Sequence, residues 1–324
     1  MTTNSQPRVL VTGGAGFIGS HLTEALVKSG CRVRVLDNLH SGDLAFLASV
    51  CDKVEFINQD ILDLPRLIQA MDGIRVVYHL AALASVTESL KEPDSYLATN
   101  GRGTLNVFQA AWEKKVARVV TASSSAVYGD GPSPSEETQA PRADTPYAAT
   151  KLLAENLGLF FQQFRGLEVV SLRLFNVYGP RQAAAGPEAS VIPVFVQAAI
   201  DGQRPVIYGD GEQTRDFIEV RDAVRAFMAA GSRPLARSGV YNVGTGETVS
   251  VNRLYGLLKE LAPGLPQARY APFRPGDVLS SVAKTERTRK NLKFSAHIDI
   301  REGLASLLAA GGPKKDFSIS KNRV

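Results

Sequence analysis

Tyr147 and Lys151 are the pair with the clearest chemistry in this sequence. In Pro146-Tyr-Ala-Ala-Thr-Lys151 they stand four residues apart, and on a helix that spacing puts both side chains on one face. An ammonium beside a phenol stabilises the phenolate, drawing a reference pKa of about 10 towards the working range. Such a tyrosine takes a proton from an alcohol undergoing oxidation and returns it in the reverse step. Upstream, Thr121-Ala-Ser-Ser-Ser-Ala-Val-Tyr-Gly129 supplies hydroxyls able to bond the same oxygen and share its proton. Taken alone, Tyr and Lys at this spacing are ordinary residues of a surface helix. They gain weight from what precedes them.

What precedes them is a glycine loop. Val9-Leu-Val-Thr-Gly-Gly-Ala-Gly-Phe-Ile-Gly19 sets Gly13, Gly16 and Gly19 in a G-x-x-G-x-x-G pattern that leaves a strand and enters a helix. Glycine there permits a tight turn, close approach of backbone to a pyrophosphate, and close helix–strand packing, with the anion on the free N–H groups of the helix. The next strand ends at Asp37, whose carboxylate suits the two ribose hydroxyls of an adenosine and repels a 2′-phosphate. Loop and acid together predict a dinucleotide, NAD rather than NADP.

These groups need elements to hold them. Short β-branched runs at 8–12, 32–37, 54–58, 74–80, 118–122 and 169–175 alternate with apolar-periodic stretches at 18–28, 64–71, 96–114 and 147–165. Strand and helix in repetition predict an α/β fold, a Rossmann-type doubly wound parallel sheet with helices on both faces. The runs are continuously apolar, as strands buried on both sides are. A helix at 222–230 and a strand at 239–244 are expected to return to this sheet, so that about 1–178 and 222–245 form the NAD-binding domain. About 179–221 and 246–312 would form a smaller α+β substrate lobe, and the chain from Gly311, 313–324 above all, reads as a frayed, flexible tail.

Composition narrows the class. Of 324 residues 44% are hydrophobic and 21% charged, with a net charge of +5. The positive residues are scattered without interleaved aromatics, so nucleic acid is not an expected partner. Apolar runs are too short to span a bilayer and residues 1–7 are polar, so neither a membrane span nor a signal peptide is expected, and the location read is cytoplasmic. Cys31 and Cys51 lie outside any CxxC or Cys/His cluster, so no metal site is expected and the thiols read as small apolar residues.

In these motifs, taken in order, the chain resembles the extended short-chain dehydrogenases/reductases of the nucleotide-sugar epimerase/dehydratase type. The likeness runs from Val9 to about Leu308 through Thr12-Gly-Gly-Ala-Gly-Phe-Ile-Gly19, Asp37-Asn38, Asp60-Ile61, His79-Leu-Ala-Ala82, Ser123-Ser-Ser-Ala-Val-Tyr-Gly129 and Tyr147-x-x-x-Lys151. It continues in Leu172-Arg-Leu-Phe-Asn-Val-Tyr-Gly-Pro-Arg181, Tyr208-Gly-Asp-Gly211, Arg215-Asp-Phe217 and Arg274-Pro-Gly-Asp277. The resemblance implies that Tyr147 is the acid/base, that Lys151 lowers its pKa and holds the nicotinamide ribose, and that Ser124 is the catalytic hydroxyl. It implies NAD contacts from the three glycines with Phe17 and Ile18, from Asp37 and Asn38, from Asp60 and Ile61 at the adenine, from Leu80, Ala81 and Ala82 along the pyrophosphate, and from Asn100. It assigns a nucleotide-sugar substrate, a UDP-sugar in most look-alikes, to Ser124, Ser125, Tyr147, Asn176, Val191, Arg215, Arg274, Asp277 and Ser281. It also implies a homodimer formed through the 96–114 and 147–165 helices.

The reaction expected is 4-epimerisation. In related dehydratases and decarboxylases acidic residues follow the catalytic Ser/Thr, whereas here Ser125 and Ala126 do. A 4-epimerase needs only one acid/base and a firmly held diphosphate, since the 4-keto sugar turns over in the pocket between two hydride transfers. Related epimerases wall the sugar pocket with a residue four after the Arg-x-Gly-Asp aspartate. Here it is Ser281, small enough to admit an N-acetyl group, which leans towards UDP-N-acetylhexosamines, with or without UDP-glucose/UDP-galactose. A uronate substrate and 4-epimerase, a nucleotide-sugar oxidoreductase or dehydratase, and a non-catalytic nucleotide-binding protein remain as alternatives. Asp37 opposes an NADPH-dependent reductase, and intact Tyr147, Lys151 and Ser124 oppose a mere binder.

Overall fold

The computed structural model of the protein describes residues 6–186, 189–232, 238–273 and 278–312. Six strands come first: β1 (Arg8–Thr12), β2 (Arg32–Asp37), β3 (Val54–Asn58), β4 (Val76–His79), β5 (Arg118–Ser124) and β6 (Glu168–Leu174). Between them lie α1 (Phe17–Lys28), α2 (Leu64–Ala70), the short α3 (Val86–Ser89) and α4 (Pro93–Tyr96), then α5 (Gly103–Glu113) and α6 (Pro146–Arg165). Next come β7 (Asn176–Tyr178), α7 (Val191–Asp201), β8 (Val206–Tyr208), β9 (Thr214–Arg215), β10 (Phe217–Glu219), α8 (Val220–Ser232) and β11 (Gly239–Val243). The described chain closes with β12 (Val249–Ser250), α9 (Val251–Leu261), β13 (Arg269–Ala271), β14 (Ser280–Ser281), α10 (Glu286–Leu292) and α11 (Ile300–Ala309).

Seven strands form one parallel sheet in the order β11-β6-β5-β4-β1-β2-β3. The continuous apolar runs explain its burial. Because side chains alternate, Val9 and Val11 of β1 enter the core that includes α1 and α8, while Leu10 enters the opposite core with residues of α2 and α5. β2, β5 and β6 divide their residues in the same way, Val35 from Leu36, Val120 from Val119 and Val170 from Val169. Each such side chain contributes about 1.5–3 kcal/mol when fully buried. The chain leaves β1 towards β2 and β3, then returns on its other side at β4. The strand order therefore reverses between β1 and β4, and beyond the carboxyl ends of the strands there a crevice opens.

A third core of α7, α9 and α11 with Ile207, Phe217 and Tyr178 lies outside the sheet, flanked by the pairs β10–β7 and β13–β8 and the triplet β12-β9-β14. Two expected elements differ. The strand expected at 74–80 is confined to Val76–His79, since Ile74 closes a turn onto the Met71 carbonyl. The helix expected at 96–114 begins instead at Pro93 and passes through a π-helical turn at Leu97–Arg102 before α5. Fraying does not begin at Gly311 either: Gly312 is buried, its N–H on the Leu307 carbonyl. Residues 313–324 lie outside the described ones. Among the described residues no helix is long and apolar enough to cross a membrane.

Candidate active site

The glycine loop is built by close approach. Gly13, at φ +71°, would carry a Cβ 2.6 Å from the Ala81 nitrogen, and a Cβ on Gly19 would meet the Gly13 carbonyl oxygen at 2.0 Å. No side chain caps the start of α1 and no acid stands in its first turn, so its N-terminal N–H groups and dipole are open to an anion. Asp37, at the end of β2, is buried. It accepts the Ala15 N–H and the Leu39 N–H, each at 2.9 Å. Burial raises its pKa, against which both hydrogen bonds act. Asn38 donates to Asp60 at 2.8 Å, joining the ends of β2 and β3.

The catalytic candidates stand on α6 and β5. Thr145 caps α6 by accepting the Ala148 N–H, and Pro146 occupies its first turn, an arrangement that fixes the helix start one residue before Tyr147. The Lys151 ammonium lies 5.7 Å from the Tyr147 ring centre and donates to the Ala122 carbonyl at 3.0 Å. Burial alone lowers its pKa to about 8. Tyr96 meets the Tyr147 ring edge-on at 6.4 Å. Ser124 ends β5, its Oγ accepting the Ala126 N–H at 3.1 Å and opening the 3-10 turn Ser125–Tyr128.

A cavity of about 590 Å³ joins the two groups. Gly13, Gly16, Phe17, Ile18, Gly19, Asp37, Asn38, Asp60, Ile61, Leu80, Ala81, Ala82, Ser124, Tyr147 and Lys151 all line it. Asn100 stands behind the wall instead. It is buried, accepting the Leu83 N–H and donating to the Leu83 carbonyl and the Thr150 hydroxyl, so that it holds a lining residue. Ser125, Asn176, Val191, Arg215 and Ser281 are not among the described lining residues. Arg215 and Ser281 are nonetheless register partners in the β9–β14 pair, and Asn176 donates to the Asp216 carbonyl. Arg274 and Asp277 lie outside the described residues.

Sequence reasoning missed His40, Ser41 and Gly42, which line the cavity beside Asp37. Their signal was Gly42, five residues after Asp37, where a Cβ would press on the Asp37 carboxylate at 2.9 Å. Ser95 and Thr99 were also missed; the π-helical turn that carries Thr99 has no sequence signature. Gln182 and Ala183 reach the cavity from the loop after β7. Behind the glycine loop, His79 bridges Thr12 and Thr104 at 2.8 and 2.9 Å, its pKa pushed down to about 3 by burial and then by the Lys151 charge. Among the described residues no group of three or more His, Cys, Asp or Glu could hold a metal ion.

The donor set fits NAD: a glycine cradle that any Cβ would fill, an uncapped helix start, and a carboxylate at the adenosine end. The model of the NAD dependent epimerase/dehydratase family matches residues 9–244. The chain is 37% identical over 272 residues to the UDP-N-acetyl-alpha-D-glucosaminuronate decarboxylase of Bacillus cytotoxicus, covering 82% of this chain and 84% of that one. It is 36% identical over 304 residues to the UDP-glucose 4-epimerase of Mycolicibacterium smegmatis, covering 92% and 96%. It superimposes with a TM-score of 0.90 on UDP-N-acetylglucosamine 4-epimerase from Methanobrevibacter ruminantium M1 in complex with UDP-N-acetylmuramic acid, at 37% identity over 94% of this chain and 97% of that one. This chain therefore belongs to the NAD dependent epimerase/dehydratase family, an enzyme family with NAD as its cofactor.

Proposed function

We propose that this chain is a UDP-sugar 4-epimerase, with UDP-N-acetylhexosamines the favoured substrates, and that it works as a homodimer. One observation carries the choice of reaction. Among the described residues lining the cavity the only carboxylates are Asp37 and Asp60. Both belong to the β2–β3 side of the sheet, and β2 lies three strand spacings, about 14 Å, from β5. Dehydration or decarboxylation must move a proton at carbon or release a leaving group, and a carboxyl beside the sugar serves that step. Beside Ser124 stand Ser125 and Ala126 instead.

Epimerisation asks less. Tyr147 takes the proton of the C4 hydroxyl and later returns it, with Ser124 bonded to the same oxygen and the Lys151 charge steadying the phenolate. Bound NAD supplies the hydride acceptor and donor. Between the two transfers the 4-keto sugar must turn over, so the diphosphate is held and the sugar left loose; Arg215 suits the first task by its charge. Ser281, small and paired with Arg215 in β14, leaves room for an N-acetyl group.

The test is incubation of the purified protein, without added cofactor, with UDP-N-acetylglucosamine and separately UDP-glucose. The 4-epimer of at least one sugar is expected at equilibrium by chromatography, and Tyr147→Phe is expected to abolish it. No change in either sugar after NAD is added would count against this reading, and UDP-glucuronate is then the next to try.

A further inference from the structure

Ser123 and Tyr128, the residues that bracket the Ser124 turn, grip the same buried ion pair. Ser123 Oγ donates to Glu155 on α6, and Arg173 on β6 closes a two-toothed bridge onto that carboxylate at 2.9 and 2.7 Å. The Arg173 guanidinium also lies 4.7 Å from the Tyr128 ring centre, and the Tyr128 hydroxyl donates to Asn242 on β11 at 2.6 Å. Both charged side chains are almost fully enclosed, at 4% and 3% exposure.

Stability does not account for such a pair. Desolvating two charges consumes most of what their attraction returns, and apolar side chains of similar volume commonly do as well. What the pair provides is geometry. Glu155 follows Tyr147 and Lys151 at the same four-residue interval, on one stripe of α6. Lys151 ties that stripe to the Ala122 carbonyl, and one helical turn later Glu155 ties it to the Ser123 hydroxyl. Two successive residues of β5 are thus fastened to α6 immediately before Ser124, and Tyr128 fastens the far end of the turn.

We propose that the Glu155–Arg173 pair is a positioning device, which holds the Ser124 turn in register with the helix that carries Tyr147 and Lys151. It rests on the reading of Tyr147 and Ser124 as the acid/base and its partner. A register error of an ångström between two groups that share one proton is enough to cost a large part of the rate.

Two variants test it. Ser123→Ala deletes a single hydroxyl and leaves the ion pair whole. Glu155→Leu with Arg173→Met replaces the pair by apolar volume and leaves no buried charge alone. Each is assayed with UDP-glucose, UDP-N-acetylglucosamine and UDP-glucuronate beside wild type and Tyr147→Phe, together with bound NAD and thermal melting. The expected result is a kcat lower by about tenfold to a hundredfold, with KM and NAD content within about twofold of wild type. Wild-type kcat in either folded variant, with Tyr147→Phe inactive, overturns the positioning role and leaves the enzyme reading standing. A wild-type chain inert towards all three sugars, or an active Tyr147→Phe, removes that reading and the proposal with it. If the double variant does not fold, Ser123→Ala decides alone.

Discussion

His79 and Lys151 are buried beside the strand ends that form the cavity, and burial draws both below their ordinary pKa values, to about 3 and about 8. The consequences differ. Lys151 remains mostly a cation at neutral pH, as the role proposed for it beside Tyr147 requires. His79 stays neutral and joins the end of β1, through Thr12, to α5, through Thr104. Its folded pKa lies below its unfolded value of about 6.5, so only the unfolded chain takes up that proton as pH falls from 6.5 towards 3. The stability it contributes is complete above pH 6.5 and drains away below, with a slope of at most about 1.4 kcal/mol per pH unit. The urea midpoint of wild type is expected to fall between pH 6.5 and 4.5, and that of His79→Gln to fall less steeply over the same range. Comparison with the variant matters because Asp37, Asp216 and Glu219 have raised pKa values and act in the opposite sense. Parallel curves for the two proteins would show that His79 is not the titrating group.

At the scale of elements, the β1–loop–α1 unit is specified by what cannot fit. Gly19 opposes the Gly13 carbonyl so closely that a methyl group forces backbone to move, whereas Gly256, inside α9, has open space around its missing Cβ. Gly19→Ala is therefore expected to purify without NAD and to gain no thermal stability on adding it, while wild type stripped of NAD gains about 2.7 kcal/mol at a hundredfold excess over Kd. Gly256→Ala in the same assay should bind NAD normally and be more stable by about 0.5–1 kcal/mol. An NAD-dependent melting shift in Gly19→Ala equal to that of wild type would refute the steric argument. This unit was legible in sequence because glycine spacing, a strand-end acid and an apolar period all express local constraints. The π-helical turn was not. It contains Asn100, which reaches Leu83 and Thr150 across the fold, and no spacing in residues 96–114 encodes a partner 50 positions away. For the same reason Glu155 reads in sequence as one more charge on a helix, and only its buried contact with Arg173 distinguishes it.

Across the whole molecule the seven-stranded sheet could be foreseen, since long apolar runs declare buried strands. The pairs and triplet beyond it could not, because strands of two or three residues such as β9, β12 and β14 carry no period, and the segments beside the triplet are gathered by Asp216, the residue after β9. That carboxylate accepts N–H groups from Thr245, Gly246 and Ala283, drawing two distant segments to the residue after Arg215. The surface carries the remaining problem. Leu97, Trp112, Leu159, Phe160 and Phe164 are all exposed on the π-helical turn, α5 and α6, with Phe160 stacked near Phe164 and Arg165 lying over Trp112 at 4.6 Å. Apolar side chains gathered in this way on helices suit a surface that binds another protein, and a second copy of the same chain in two-fold symmetry is the commonest such partner. Wild type is expected to sediment at twice its chain mass of 34.8 kDa. Phe160→Glu with Phe164→Glu, which puts like charges on this face of both copies, is expected to sediment as a single chain. Trp112 is the only tryptophan, so its emission should shift to the red on dilution of wild type and stay unchanged on dilution of the variant. Because α6 also carries Tyr147 and Lys151, the separated chain is further expected to lose kcat before it loses NAD. A wild-type protein that sediments as one chain at every concentration would leave this face to some other partner.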